Sequence, residues 1–428
     1  MCITNIKEYM EINSMKSSSI FKISRRNALK TLVAGSALFT IPTIVAKETY
    51  SDRKYNYNHK IDYKGHHQAG VITKEQKNVS FVTFNVTANS LDELKDLFKI
   101  ITNRIAYLTQ PQKLPVNSND KMPPFESGML GEHLDPDSLT VTVSLGSSLF
   151  DSRFGLKHLK PRHLVAMTSF PNDRLDSDWC GGDIALQICA NSPESVVYAL
   201  RDILQHTSLY LAPHWKIDGF LPSRDIDHKS TPVNLFGFKD GTGNAPADNT
   251  DLMNELVWVT DSDKEPTWCR GGSYQAVRLI RFNLEFWDRT PLEDQENDFG
   301  RHKVTGAPLG MKHEHDSPEY EKDPHGDRIL FNSHMRRAEP RNPERYTAKL
   351  RRRSYSYSLG INESGMLDMG LIFISYQKNL KTGFINTQKR LNGEPLERYI
   401  KPFGGGYYFV LPGVINDGEY LGEVLFTT

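Results

Sequence analysis

Hydrophobic positions along the chain change period several times, and the changes mark the elements. Val82, Phe84 and Val86 alternate with their neighbours, the period-two pattern of a strand with one face turned to a core. Ser90-Leu91-Asp92-Glu93 comes next, a serine three residues ahead of a glutamate, and predicts a helix start with reciprocal capping. Leu139, Val141, Val143 and Leu145 form a second alternating strand, and Ile184, Leu186 and Ile188 a third. Ser192-Pro193-Glu194 then opens another helix with a cap and a first-turn proline. Two strand-helix units in this order predict a ferredoxin-like βαββαβ half, an antiparallel sheet with helices on one face.

The theme returns with strands at Val277–Phe282, Gly370–Tyr376 and Tyr407–Leu411. The expected fold class is therefore α+β, with two ferredoxin-like halves at 66–225 and 226–428 and a boundary near 215–235. Residues 288–345 interrupt the second half with Asp, Glu, Pro, His and Arg. So long an irregular stretch inside a compact domain predicts a functional loop system.

The N-terminus follows different rules. Lys7, Lys16, Lys22, Arg25, Arg26 and Lys30 precede a charge-free run from Thr31 to Ala46, shorter than the roughly 18 residues that span a bilayer. This reads as an export signal over 1–46, cleaved near Ala46, with a polar linker over 47–65. Ser24-Arg25-Arg26-Asn27-Ala28-Leu29-Lys30 resembles the twin-arginine motif, whose pathway carries folded, often cofactor-loaded proteins. The expected location is the periplasm, with no stable membrane span after cleavage.

Composition narrows the chemistry further. The 428 residues carry 52 Lys+Arg against 52 Asp+Glu, and the sequence pI is about 7.2. That balance argues against nucleic acid as a partner. After the signal, Cys180, Cys189 and Cys269 remain, with neither a CxxC nor a CxxCH pattern, so neither a cysteine zinc site nor covalently attached haem is indicated. Cys189 ends an apolar strand and reads as a small buried hydrophobe.

Phe236-Gly237-Phe238-Lys239-Asp240-Gly241-Thr242-Gly243-Asn244 is the densest local signal, readable as a tight turn or as a loop that approaches a ligand closely. Asp240, Asn244, Asp248 and Asp251 do not have the spacing of a calcium loop. His313-Glu314-His315 reads as an adventitious metal site at best. His334 lies in Ser333-His334-Met335-Arg336-Arg337-Ala338-Glu339-Pro340-Arg341, with Arg352 following in a basic run. Basic groups around a histidine suit an anionic cofactor such as haem with its propionates, and equally a solvated charged face.

Four ordered segments carry a resemblance: GFKDGTGN, S-H-x-R-x-A-x-P-R, RRRSYSYSLG and Leu367-Asp368-Met369-Gly370-Leu371-Ile372-Phe373. From about Gly65 onward the chain resembles the dye-decolorising haem peroxidases, and within them an exported bacterial branch tied to iron uptake. Further matching stretches are Pro266-Thr267-Trp268, Trp287-Asp288-Arg289-Thr290 and Thr305–Gly310. The resemblance implies one non-covalent haem b in the C-terminal half, with hydrogen peroxide as oxidant and organic donors or dyes as reductants. It also implies a role in releasing iron from haem with the porphyrin intact, possible iron-uptake partners, and a homo-oligomer, expected as a dimer.

Carried over by residue, His334 is the expected axial ligand of the haem iron, Asp240 the distal acid-base and Arg352 the donor to the peroxide oxygens. Arg351 and Arg353 are the alternatives if the register slips by one. Gly241, Thr242 and Gly243 are expected along the haem edge, with Pro340 beside it and Arg341 paired to a propionate. Glu339 departs from the asparagine usual in the family, and is expected to turn away or to be neutralised by a nearby arginine such as Arg301. Asp368 is a candidate acceptor for the proximal imidazole N–H, and Phe373 for packing on the haem. Tyr355, Tyr357 and Trp268 read as core rather than as electron relays.

Overall fold

The computed structural model of the protein describes residues 59–115, 121, 124–222, 231–340 and 350–427. The export signal, residues 47–58 of the linker and Arg341 lie outside them. Among the described residues, no helix is long and apolar enough to cross a membrane.

The first half runs β1 (Asn78–Val86), α1 (Leu91–Leu108), β2 (Thr140–Gly146), β3 (Ile184–Ala190), α2 (Pro193–Thr207) and β4 (Leu211–Phe220). Its strands pair antiparallel in the order β2-β3-β1-β4, the ferredoxin-like arrangement. The second half supplies β5 (Ser273–Phe282), β6 (Arg351–Arg352), β7 (Tyr355–Ile361), β8 (Leu367–Gln377) and β9 (Ile400–Val410). Here the order is β9-β5-β8-β7, the same topology, with the two-residue β6 beside β8. The sheets join through β2–β9 and through a single pairing, Phe220 with Ser356, between β4 and β7. With β5 bonded to both β9 and β8, the nine-stranded sheet closes into a ring.

Closure accounts for a departure from the sequence pattern. The alternation in β1 predicted one buried face, but both are buried. Val82, Phe84 and Val86 pack under the helices, while Val79 and Phe81 point into the ring with Trp215, Val277, Leu279, Tyr355, Ile372 and Tyr376. α1 covers the outer face of the first sheet with Leu94, Leu97, Phe98, Ile101 and Ile105, a helical stripe of period 3.6. The capping box is half formed: Ser90 Oγ accepts from Glu93 N at 3.2 Å, whereas Glu93 reaches past it to Asn89 N at 2.7 Å. Ser192 does not cap α2 with its side chain and bonds Ser195 Oγ instead.

The ring interior also holds a satisfied polar group. Tyr376 Oη donates to Gln187 Oε1 at 2.6 Å, Gln275 Nε2 donates to Tyr376 Oη at 3.2 Å, and Ser144 Oγ donates to Gln275 Oε1 at 2.7 Å. Tyr355, Tyr357 and Trp268 are core residues, each no more than 1% exposed. Cys189 is fully buried with Tyr355 Oη donating to its Sγ, and Cys180, Cys189 and Cys269 are all free.

Candidate functional site

The outer face of the second sheet is not sealed by a long helix as the first is. Short helices, α3 (Leu292–Phe299), α4 (His334–Ala338) and α5 (Asn386–Leu391), and the loops around them stand off it and enclose a cavity of about 270 Å³. Ile280 and Phe282 of β5 and Leu371 and Phe373 of β8 supply its apolar lining, while their sequence neighbours Leu279, Ile372 and Ile374 fill the ring. Beside them lies an ion pair of Arg278 and Asp173, each side chain 1% exposed.

One set of functional groups comes from the glycine-rich loop. Phe236 stacks on Phe282 at 3.9 Å and Phe238 on Phe299 at 4.0 Å, so two aromatic anchors fix the loop's start. Asn234 Oδ1 accepts from the amides of Phe236 and Phe238, and Asp240 N donates to Pro232 O at 2.8 Å. Gly241 then takes φ +131°, which only glycine adopts readily, and turns the chain immediately after Asp240. Asp240 Oδ1 accepts from Arg352 Nη1 at 2.9 Å, an ion pair lining the cavity.

Arg352 owes its place to Asn244. The Asn244 side chain accepts from Arg352 N at 3.0 Å and donates to Arg352 O at 2.9 Å, which binds the strand to the loop. Its neighbours go elsewhere: Arg351 pairs with Glu75 at 2.7 Å and Arg353 turns to Thr73, Lys74 and Gln76, and neither lines the main cavity.

A histidine completes the cavity. His334 is the first residue of α4, and its Nδ1 lies 2.7 Å from Glu394 Oε2. Burial disfavours the imidazolium, but the Glu394 carboxylate outweighs it and the histidine pKa is raised. With Nδ1–H engaged by a carboxylate whose side chain is 3% exposed, Nε2 is the ring nitrogen available to a metal. Asp368, the acceptor expected for this role, gives its two oxygens to Arg281 at 2.8 and 2.7 Å and also receives Tyr357 Oη. Its place on β8, beside Arg281 of β5, commits it to that partner.

The remaining expected residues divide. Thr242, Gly243, Arg301, Glu339 and Pro340 line the cavity, whereas Gly241 lies on a second, smaller one after the chain turns. Glu339 does not turn away: a Cβ placed on Gly243 would be 3.9 Å from its Oε2 and 3.8 Å from Arg352 Nη2. Arg301 Nη1 donates to Gly306 O and Glu314 O, and Arg390 adds a further cation to the lining.

Glu314 was passed over as a metal ligand and proves to be a clamp. It accepts from Lys239 Nζ, Thr231 Oγ1 and Thr242 Oγ1, on both sides of Asp240 in sequence. Burial pushes its carboxyl up, but these hydrogen bonds win and hold it below the usual glutamate range. Glu394 left no sequence signal, being one glutamate in a Gly-Glu-Pro turn 60 positions from its partner. Asn244 was visible in the glycine-rich motif, but its bonds to Arg352 cross 108 positions.

Family models for the Dyp-type peroxidase N-terminal and C-terminal regions match residues 68–221 and 231–415. The chain belongs to the Dyp-type peroxidase family. It is 49% identical over 411 residues to the deferrochelatase of Escherichia coli strain K12, covering 94% of this chain and 96% of that one. The deferrochelatase of Escherichia coli O157:H7 is 50% identical over 408 residues, with the same coverage. Among solved structures, the DyP-type peroxidase of Cellulomonas bogoriensis is similar at 31% identity, with TM-score 0.76 and coverage of 86% of this chain and 98% of that one. Ferric DtpA of Streptomyces lividans is similar at 30% identity, with TM-score 0.77 and coverage of 86% and 97%. A DypB variant of Rhodococcus jostii RHA1 in complex with heme shares the fold at 18% identity and TM-score 0.59, over 80% of this chain and 95% of that one.

Proposed function

We propose that this chain is an exported haem b peroxidase that reduces hydrogen peroxide at the expense of organic donors or dyes and also frees iron from haem, leaving the porphyrin intact. The observation that carries the reading is one cavity holding both the His334–Glu394 pair and the Asp240–Arg352 pair. Its residues suit haem: Ile280, Phe282, Leu371 and Phe373 for the ring, and Arg301 and Arg390 for the propionates. His334 Nε2, left free by the Nδ1–Glu394 contact, would be the ligand to the haem iron. Haem held there would supply the redox-active metal that peroxide reduction and donor oxidation require.

The chain's own groups manage protons and charge. A carboxylate oxygen of Asp240 takes a proton from peroxide and returns it to the departing oxygen, which leaves as water. The Arg352 guanidinium, fixed by Asn244, donates to the peroxide oxygens as negative charge builds on them. Glu394 keeps the imidazole oriented and makes Nε2 a stronger donor to the metal.

The deferrochelatase role rests on the relatives named above. The rest of the reading is a signal over 1–46 that sends the protein to the periplasm by the twin-arginine route, a linker over 47–65, halves at 66–225 and 226–428, a dimer, and contact with iron-uptake components. Replacing Arg25-Arg26 by Lys-Lys tests the export route: precursor retained in the cytoplasm supports it, and undiminished export contradicts it. His334→Ala tests the ligand: loss of stable haem or an altered ferric spectrum supports it, and a normal ferric spectrum contradicts it.

A further inference from the structure

A five-residue helix does not hold its own place. α4 carries His334 as its first residue, and helices shorter than roughly 12 residues are marginal in water, so contacts from outside must fix where the imidazole points. Its partner Glu394 stands in the turn that follows α5, closed by Glu394 N donating to Leu391 O at 2.9 Å. The two residues are 60 positions apart, so their 2.7 Å contact depends on two separate pieces of chain being held in register.

Two arginines tie the pieces together, one from each. Arg337 of α4 donates through Nη1 to Asn392 O at 2.7 Å, two residues before Glu394. Arg390 of α5 reaches back, donating through Nε to Arg337 O at 3.0 Å and through Nη2 to Ala338 O at 2.7 Å. Both acceptors are carbonyls that a helix end leaves without partners inside the helix. Arg390 also lines the main cavity, whereas Arg337 does not. Nor did the sequence single Arg337 out, since it fills an unspecified position of S-H-x-R-x-A-x-P-R.

We propose that Arg337 is a positioning residue for the haem-iron ligand: by fixing the Glu394 turn to the His334 helix, it sets how strongly the carboxylate draws on the imidazole N–H. This rests on His334 being that ligand, with Glu394 as its partner. Loss of the tie and loss of the charge act in opposite directions on the iron. A slack Glu394 contact makes Nε2 a weaker donor, which supports ferric iron less and raises the ferric-ferrous midpoint potential. Deleting a nearby cation favours the ferric state and lowers it.

The test is that potential, measured by spectroelectrochemistry on the haem-loaded wild type, Glu394→Gln, Arg337→Gln and the double variant. An unchanged potential in Glu394→Gln overturns the reading of the pair itself. Given the rise in Glu394→Gln, Arg337→Gln is expected to raise the potential by less, and to add nothing in the double variant. An unchanged or lowered potential in Arg337→Gln, or a fully additive shift in the double variant, overturns the positioning role, because a merely structural arginine lowers the melting temperature without moving the potential. Haem transfer to apomyoglobin is expected to be about three- to tenfold faster in Arg337→Gln than in wild type. Arg337→Lys keeps the charge on a differently shaped donor, and its potential is expected between those of wild type and Arg337→Gln. Should Arg337→Gln fail to fold, Arg337→Lys decides alone: a potential above wild type supports the proposal, and one at or below it contradicts it.

Discussion

The two halves are one topology put to two uses. On the first sheet, α1 and α2 lie directly over Val82, Phe84, Val143 and Leu186, and the apolar face is spent on protein. On the second, Ile280, Phe282, Leu371 and Phe373 face a cavity under short helices and loops. The lesson is that an apolar sheet face without its covering helix is the mark of a ligand. The charged groups above that face, Asp240, Arg352, His334 and Glu394, all come from loops or element ends, where chemistry can be varied without disturbing the strands.

The comparison breaks most sharply in the second half. Asp240→Ala in the haem-loaded protein should slow the peroxide-induced change of the Soret band by about 10²- to 10⁴-fold, read by stopped-flow absorbance. A wild-type rate would remove Asp240 from the chemistry. Arg352→Leu should cost about 10²- to 10³-fold in the same step, with haem still bound. Glu394→Gln should weaken haem affinity by about 10- to 100-fold, measured by transfer to apomyoglobin, and raise the ferric-ferrous midpoint potential. An unchanged potential would leave Glu394 a packing residue.

Substitutions in the helix-covered core of the first sheet should touch stability alone. Phe98→Ala under the first sheet should cost about 3–5 kcal/mol in chemical denaturation and leave the haem spectrum as it was. The smallest effect concerns the Glu314 clamp. Its carboxyl is held below the ordinary glutamate value of 4.5, so its contribution to stability is full above that pH and is lost as pH falls through the lower folded value. Wild type should therefore be more stable than Glu314→Gln near neutrality, and the gap should shrink on acidification below about pH 4.5; a gap constant with pH would dismiss the clamp's charge.

What could be read in advance divides along the same line. Strand and helix periodicity made both halves visible, because alternation and 3.6-residue stripes are local properties of sequence. Ring closure was not, since it rests on pairings such as Phe220 with Ser356 and Tyr408 with Gly146, far apart along the chain. His334, Asp240 and Arg352 were legible through ordered motifs. Arg352 was expected there with Arg351 and Arg353 as one-residue alternatives, and of the three only Arg352 lines the main cavity. Asp368 stands in a recognisable motif, whereas Glu394, the glutamate that meets His334, belongs to an unremarkable turn and leaves no sequence signal.

The central claim is that the cavity on the second sheet is a peroxide-reactive haem site. The measurement that tests it most directly is the absorption spectrum of the purified, haem-loaded protein before and after one equivalent of hydrogen peroxide, with free iron and porphyrin assayed under reducing conditions. The account predicts a ferric Soret band that shifts on peroxide addition and recovers with an organic donor, together with metal-free porphyrin in the reduced sample. A haem band indifferent to peroxide would contradict it and make the protein a haem carrier.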